Sequence, residues 1–283
     1  MKKQWLLGLA ALAMTGLAVA AGPGAARKRA EASMLVTGDI TVASDGSVTG
    51  YTLDRQDKIP PEVVSLIGRV APTWRFEPVK QNGQAVAAKA HMSVRLLAQR
   101  QSPDSKSYVV HIAGANFGEE GAGGESISYA TRSAPGYPSN AVAAGVQGTV
   151  YLLIRVGRDG KVADVGVEQV NLGVVGTETE MKVWRNVLAN PAVRVARSWI
   201  FNLPTKGMHV NDPEYVARVP ITYHLNKGIA RDDLYGTWES YVPGPKEVIS
   251  WAKDSGGSAD ALPDDGLYLV NSGLKLITPL DNG

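Results

Sequence analysis

Alternating apolar and polar residues recur in two separated stretches of the chain, each divided by an Asp-Gly pair. Residues 40–54 alternate on both sides of the pair at 45–46, and residues 154–168 alternate in the same way around the pair at 159–160. Asp-Gly between alternating runs is a strong hairpin signal, because the turn needs positive φ angles that glycine adopts without steric cost. The pattern therefore predicts two β-hairpins of similar design.

Each predicted hairpin is followed by a segment with helical spacing and then by a W-x-F triplet. The helical segments are residues 61–71 in the first stretch, and residues 178–188 with 191–197 in the second, where Pro191 is expected to restart the helix. Strictly alternating strands at residues 88–96 and 215–223 close the two stretches. The repeated order of hairpin, helix, W-x-F and strand predicts an α+β unit, an antiparallel sheet with a helix on one face.

The W-x-F triplets place two of the chain's three phenylalanines at equivalent positions. An aromatic ring buries about 150–250 Å², so four rings wedged between helix and sheet would stabilise both units substantially. We therefore expect structural core roles, with an aromatic ligand platform as the alternative, for Trp74, Phe76, Trp199 and Phe201.

The chain divides into five segments. They are a signal peptide (1–20), a first unit called module 1 (33–98), a Gly-rich linker expected to be flexible (99–133), a second unit called module 2 (134–225), and an extended tail (226–283). The tail is expected to pack on module 2 through Trp238 and Trp251.

The first twenty residues have the layout of an export signal. Lys2 and Lys3 precede an apolar stretch that ends in Ala-Val-Ala at 18–20. We expect cleavage there and a periplasmic protein. The alternative is a retained leader that anchors the chain in the inner membrane, facing the periplasm, and membrane contact is expected only in that case.

Module 2 carries six short motifs whose order resembles the TonB C-terminal domain family. They are P-G-Y-P at 135–138 followed by a short Ala-rich segment, G-T-V at 148–150, the Asp-Gly pair at 159–160, W-I-F at 199–201 and V-P-I at 219–221. Module 1 matches only from its first strand onward and is a divergent copy. The resemblance implies binding of a periplasm-facing peptide of an outer-membrane transporter, in the manner of an energy transducer.

The last strand of module 2 is the best candidate for a docking edge. Proline cannot donate to a sheet ladder, so Pro220 predicts an edge strand on which an extended peptide could add; its alternative role is to prevent unwanted pairing. In the resembled family, partner peptides dock near the Tyr-Pro segment and this strand. The candidate peptide-binding residues are Tyr137, Pro138, Tyr215, Ala217, Arg218, Val219, Pro220, Ile221 and Thr222. Tyr137-Pro138 could alternatively be only a helix start.

Charge and composition exclude several other classes. The chain carries 29 Lys and Arg against 27 Asp and Glu, has no basic tract suited to nucleic acid, and has no cysteine. The four histidines (His91, His111, His209, His224) have no ligand spacing and are expected to face solvent, so no metal and no cofactor is predicted. No catalytic motif is present. We expect a non-enzymatic envelope protein that binds a protein or peptide, or alternatively a periplasmic scaffold without a transport role.

Overall fold

The computed structural model describes residues 30–100, 108–118, 124–225, 234–252 and 257–280; the predicted leader lies outside these ranges. Within them the strands are β1 (Glu31–Val42), β2 (Val48–Leu53), β3 (Lys80–Gln81), β4 (Gln84–Ala85), β5 (Ala88–Arg100), β6 (Tyr108–Gly118), β7 (Ser128–Thr131), β8 (Gly148–Val156), β9 (Val162–Leu172), β10 (Ile200–Asn202), β11 (Tyr215–Tyr223), β12 (Glu239–Tyr241) and β13 (Tyr268–Leu269). The α-helices are α1 (Pro61–Val70), α2 (Ser139–Ala143) and α3 (Glu178–Ala196). The α+β class predicted from the pattern is the class observed.

The sheet of module 1 is antiparallel and is built around β1. One side of β1 pairs with β5 over eleven positions, and the other side pairs with β2 and, near its start, with β12. Alternate residues of β1, among them Met34, Val36 and Ile40, are buried in one core with the apolar face of α1. Because every second side chain points to the same face of a strand, the alternating pattern places this core on the helix side of the sheet.

The sheet of module 2 has the order β13-β11-β8-β9, and all of its pairings are antiparallel. Helix α3 packs on one face through Met181, Leu188 and Ala192, all fully buried. Pro191 lies inside this single helix, so the expected restart at Pro191 was wrong. Proline removes one main-chain hydrogen bond, and the buried residues on both sides hold the helix against the sheet across that gap.

In both modules the Asp-Gly turn contacts the W-x-F triplet directly. The Phe76 amide donates to the Gly46 carbonyl at 2.9 Å, and the Phe201 amide donates to the Gly160 carbonyl at 2.8 Å. Both glycines have positive φ, 82° and 74°, and a Cβ at either would lie within 2.4 Å of a phenylalanine carbonyl oxygen. The turn and the triplet are therefore one structural unit that occurs twice.

Two strands lie in the segment that was expected to be a flexible linker. Strand β6 pairs with β5 from His91 to Arg100, and β7 pairs with β10 just after Trp199. The linker prediction was wrong for these residues. It rested on the Gly-rich run at 118–126, which begins at the end of β6 and ends before β7, and it was extended to the residues on both sides.

The tail passes repeatedly between the two modules instead of packing on module 2 alone. Trp238 packs against the core of module 1, whereas Trp251 lies under Arg155 of module 2 with 5.5 Å between the guanidinium carbon and the ring centroid. Its contacts alternate between the modules along the chain. On module 1, β12 pairs with β1, residues 258–261 contact β5 and β6, and residues 274–278 contact residues 75–77 and 117. On module 2, residues 242–247 contact β9 and β13 pairs with β11. One strip of chain thus joins the two sheets.

Candidate functional site

Strand β11 has an inner and an outer edge. Its inner edge pairs with β8 along its whole length, from Tyr215 to Tyr223. The Val216 carbonyl points to the other side, where it accepts from the Val270 amide at 2.8 Å. Main-chain groups of alternate residues point the same way in an antiparallel strand, so those of Pro220 and Thr222 lie on this outer edge as well. The position of Pro220 agrees with the sequence argument that a proline needs an edge.

The outer edge of β11 is not open along its whole length. Strand β13 pairs with it at Ala217 and Arg218, and the Thr222 hydroxyl donates to the Asp264 carboxylate at 2.7 Å. The expectation of a fully open edge was therefore wrong. The covering strand consists only of Tyr268 and Leu269. A strand of two residues is too short to predict from the sequence in a segment dominated by Pro, Gly and Asp.

The side chains of the candidate docking strand divide between its two faces. Those facing α3 are buried and contribute to the core rather than to a binding surface: Tyr215, Ala217, Val219, Ile221 and Tyr223. The Tyr215 hydroxyl also donates to the His209 carbonyl at 2.9 Å. Any recognition at this strand must therefore use its main chain and the opposite face, where Arg218 and Pro220 are also buried and Thr222 is partly exposed.

Arg218 forms a buried ion pair with Glu168, which its place on an edge strand did not indicate. Its guanidinium donates to both carboxylate oxygens of Glu168, at 2.6 and 3.0 Å, and the two side chains are only 6% and 2% exposed. Lys246 of the tail approaches the same carboxylate at 3.5 Å. Removing either partner of such a buried pair leaves an uncompensated charge, so Arg218 is held by this contact.

Tyr137 lies beside the end of β11. Its hydroxyl donates to the Val146 carbonyl at 2.8 Å, and its ring packs edge-on against Tyr223 with 5.2 Å between centroids. Burial raises the pKa of both phenols, so both remain protonated at neutral pH. Pro138 directly precedes α2. The structure thus brings Tyr137 next to the end of β11, which sequence distance alone could not establish.

A groove of about 180 Å³ opens between Tyr137 and the last residues of β11. Its walls combine apolar, hydroxyl and charged groups: Arg132, Ala134, Pro135, Tyr137, Ile221, Thr222, Tyr223, His224 and Asp265. Arg132 and Asp265 approach at 3.6 Å across one side, while Tyr223 carries a buried hydroxyl with no hydrogen-bond partner among the described residues. A groove of this size fits one or two side chains of an extended peptide.

A larger cleft of about 770 Å³ separates the helix-free faces of the two sheets. Module 1 contributes Thr37, His91 and Arg95, and module 2 contributes Tyr151 and Asn171. Some of the charges on its walls are paired: Arg95 contacts Glu31 at 2.8 Å and Asp260 at 3.2 Å. The cleft therefore offers hydrogen-bonding groups with more acidic than basic side chains, and it meets the groove at Thr222, Tyr223 and His224.

In module 1, strand β6 fills the edge equivalent to the outer edge of β11. Strand β5 follows the W-x-F triplet of module 1 as β11 follows that of module 2, and β6 pairs with β5 at ten positions. Beside β11 the tail supplies only two such positions. The two modules therefore differ most in what covers their final strand.

The four W-x-F rings are buried, with exposures from 0 to 4%. Each pair is completed by a third aromatic residue that the repeat did not reveal. Phe117 makes edge-on contacts with the rings of Trp74 and Phe76, and Tyr129 lies against those of Trp199 and Phe201. These additions come from β6 and β7, which belong to the segment expected to be a linker.

The histidines have different surroundings. His91 is half-buried, 3.4 Å from Asp39, and His209 Nδ1 lies 2.7 Å from Asp212, so these two are not simply solvent-facing. His224 is exposed at the rim of the groove. Among the described residues, no group of three or more His, Asp or Glu side chains could hold a metal ion.

Comparison with protein families, curated proteins and solved structures found no match to this chain. In the ranges that the structure describes, no helix is both long and apolar enough to cross a membrane.

Proposed function

We propose that the protein is an exported envelope protein that binds an extended segment of another protein at the outer edge of β11. The observation that carries this proposal is the Tyr268–Leu269 pairing, in which a short strand already adds to that edge. Strand addition needs unpaired main-chain groups and nearby pockets for alternate side chains. The groove beside Tyr137 supplies such a pocket.

Module 1 supports the same idea from its own sheet. There the final strand, β5, accepts a full-length antiparallel neighbour, β6, over ten positions. The edge of β11 accepts only two positions from the tail. A partner strand that continued along Pro220 and Thr222 would complete a sheet of the same form in module 2.

The class of partner comes from the motifs of module 2. Their likeness to the TonB C-terminal domain family favours a periplasm-facing peptide of an outer-membrane transporter, and an energy-transducing role if the leader remains in the inner membrane. With a cleaved leader the protein would act as a periplasmic adaptor. Each added backbone hydrogen bond contributes about 0.5–1.5 kcal/mol net, so micromolar affinity is expected.

The experiment is a binding titration with fluorescently labelled N-terminal peptides of outer-membrane transporters. Thr222→Pro removes a main-chain donor from the outer edge, whereas Thr222→Ala keeps it and removes the same hydroxyl contact to Asp264. We expect the proline variant to bind about two- to tenfold more weakly than the alanine variant, the loss of one hydrogen bond. Circular dichroism must show both variants folded.

Arg218→Ala is unsuitable as a control in this experiment, because it would leave the buried Glu168 with only the more distant Lys246 as a partner. Equal binding by the two Thr222 variants, or no binding of any such peptide to the wild-type protein, would count against strand addition at β11. Fractionation of native envelopes then separates the two roles: membrane-held protein favours a transducer, and soluble processed protein favours an adaptor.

The alternative function is a scaffold with no transport role, and the tail favours it. Contacts of the tail alternate between the two modules, as expected of a protein whose purpose is to hold a fixed shape. A scaffold would keep Tyr268–Leu269 on β11 in every state. Hydrogen exchange of the Thr222 amide that saturating peptide does not slow would support the scaffold over the binding role.

A further inference from the structure

Residues 264–270 of the tail, here called the strap, lie along the outer edge of β11. The pairing of β13 with β11 sets their register, and the Val270 amide donates to the Val216 carbonyl at 2.8 Å. Counting back along the tail in the same register places Asp264 opposite Thr222, where the Thr222 hydroxyl donates to the Asp264 carboxylate at 2.7 Å. The strap thus occupies the place that an added strand would take.

The strap uses the main chain of this edge only in part. It pairs with Val216 and Arg218, and it bends at Asp265, whose φ of 60° is left-handed. With the strap in place, a partner would meet the main-chain groups of Pro220 and Thr222, and proline has no N–H. Because strand addition draws its affinity from a row of main-chain hydrogen bonds, a partner that displaces the strap and pairs continuously gains more than one that binds beside it.

The groove beside β11 meets the strap with groups that favour a carboxylate. Asp265 lies 3.6 Å from the Arg132 guanidinium, which is also held 4.9 Å from the centre of the Tyr129 ring. The ring contact does not involve the strap, so it keeps Arg132 on the groove wall when the strap leaves. The Thr222 hydroxyl adds a second donor. An acidic pair is therefore favoured in any strand that replaces the strap.

The remaining part of the strap contributes apolar side chains to module 2. Leu269 is 9% exposed and belongs to the core, and Leu267 lies partly buried against the same core. Displacing the strap would leave the place of Leu269 empty, and an empty apolar cavity is unfavourable. A replacement with an apolar residue at that position refills it, whereas a polar residue does not.

We propose that the strap is an internal substitute for the partner, and that the partner segment shares its chemistry: two acidic residues followed by apolar residues at alternate positions. This inference rests on the proposed binding function of β11. The partner displaces residues 264–270 and takes over their register. Because the strap is part of the same chain, its high local concentration keeps the edge covered until such a segment is present.

The first experiment measures binding of a fluorescently labelled peptide of residues 262–272 to the full chain by anisotropy. Leu269→Asp in the full chain weakens the hold of the strap and leaves β11 unchanged, so it should raise the affinity at least about tenfold over the wild type. Ile277→Asp, the same change at a tail residue that is 59% exposed, should leave the affinity at the wild-type value.

A variant peptide tests the acidic pair. With Asp264→Asn and Asp265→Asn, the peptide should bind the Leu269→Asp chain about two- to tenfold more weakly than the unchanged peptide does. Circular dichroism must show the variant chains folded.

A reversible disulfide gives a second test within one protein. The chain has no cysteine, and Ala217 and Leu269 are direct partners beside the hydrogen-bonded pair of Val216 and Val270. Such a non-hydrogen-bonded pair has Cα atoms about 4.5 Å apart, which suits a disulfide. The double variant Ala217→Cys with Leu269→Cys should bind the tail peptide and transporter peptides at least about tenfold more weakly when oxidised, and reduction should restore binding.

The outcomes separate this inference from the proposed function. A tail peptide that fails to bind the folded Leu269→Asp chain, equal affinity for the two peptides, or an effect of Ile277→Asp as large as that of Leu269→Asp would overturn the inference. Transporter peptides that bind the oxidised and reduced chains equally would overturn it and leave the proposed function intact. If the tail peptide binds the Leu269→Asp chain and no transporter peptide binds any form, the proposed class of partner fails and the acidic-apolar preference of the edge stands.

Discussion

The two W-x-F tryptophans allow a matched comparison of one hydrogen bond. Trp74 and Trp199 are 0% and 1% exposed and occupy equivalent places in the two modules. The Trp199 indole N–H donates to the Ser133 carbonyl at 2.9 Å, whereas that of Trp74 is buried with no partner among the described residues. Replacing each with phenylalanine therefore removes a similar volume but a different polar contact.

We expect Trp199→Phe to be the more destabilising substitution. It deletes a hydrogen bond worth about 0.5–1.5 kcal/mol, while Trp74→Phe removes an unpaired N–H whose burial costs about 1–3 kcal/mol. The lower bounds together give a difference of about 1.5 kcal/mol in the free energy of unfolding. Trp199→Ala, which also opens a cavity, should cost about 3–5 kcal/mol.

Urea unfolding followed by far-UV circular dichroism measures these free energies, with an unchanged m-value as the check that the unfolded states are comparable. Equal costs for the two phenylalanine variants, or a larger cost at Trp74, would refute the hydrogen-bond reasoning. A Trp199→Ala protein with a normal melting temperature but no peptide binding would instead support the ligand-platform role for these rings.

Three further predictions concern the turns, the buried ion pair and a helix start. Gly46→Ala and Gly160→Ala should each lower the melting temperature markedly, because a Cβ would meet a phenylalanine carbonyl oxygen at 2.0 and 2.4 Å and the φ angles are positive. Glu168→Gln should cost about 3–5 kcal/mol in urea unfolding, and combining it with Arg218→Met should recover part of that loss. The N-cap hydrogen bonds of α3 lower the pKa of Glu180 below 4.5, so the stability it contributes is present above that pH and is lost as pH falls through the lowered pKa. Thermal melts should therefore show a smaller acid-induced decrease in melting temperature for Glu180→Gln than for the wild type.

Local sequence patterns predicted the helices, turns and long strands of each module well, because these features depend on residues that are close together in the chain. Helix α1 begins at Pro61 as the proline and the apolar spacing indicate, and the Asp-Gly turns contain the glycines with positive φ. Period-two alternation likewise identified the side of β11 that faces the core, but it did not indicate that Arg218 and Pro220 on the other side are buried too.

The missed features depend on contacts distant in sequence. Strand β6 contains Ala-Gly-Ala at 113–115, which carries little strand signal, and it is held by pairing with β5. The cover over β11 comes from Tyr268–Leu269, about fifty residues away along the chain. The ion pair of Arg218 was missed as well, because its partner Glu168 lies on β9, fifty residues earlier in the chain. Pairing partners of this kind are set by tertiary structure, which a local pattern does not encode.

The path of the tail also determines when the fold can be completed during synthesis. Residues of the tail pair with residues near the start of the described chain: the Tyr241 hydroxyl contacts Glu31 across 210 positions, and the Ile277 amide donates to the Arg75 carbonyl. A ribosome must therefore release residues as far as 268–277 before the two sheets receive their last contacts. Contacts so far apart in sequence slow folding and leave strand edges bare in the meantime. Nascent chains of this protein should consequently depend on a chaperone that shields those edges until residues 268–277 have emerged.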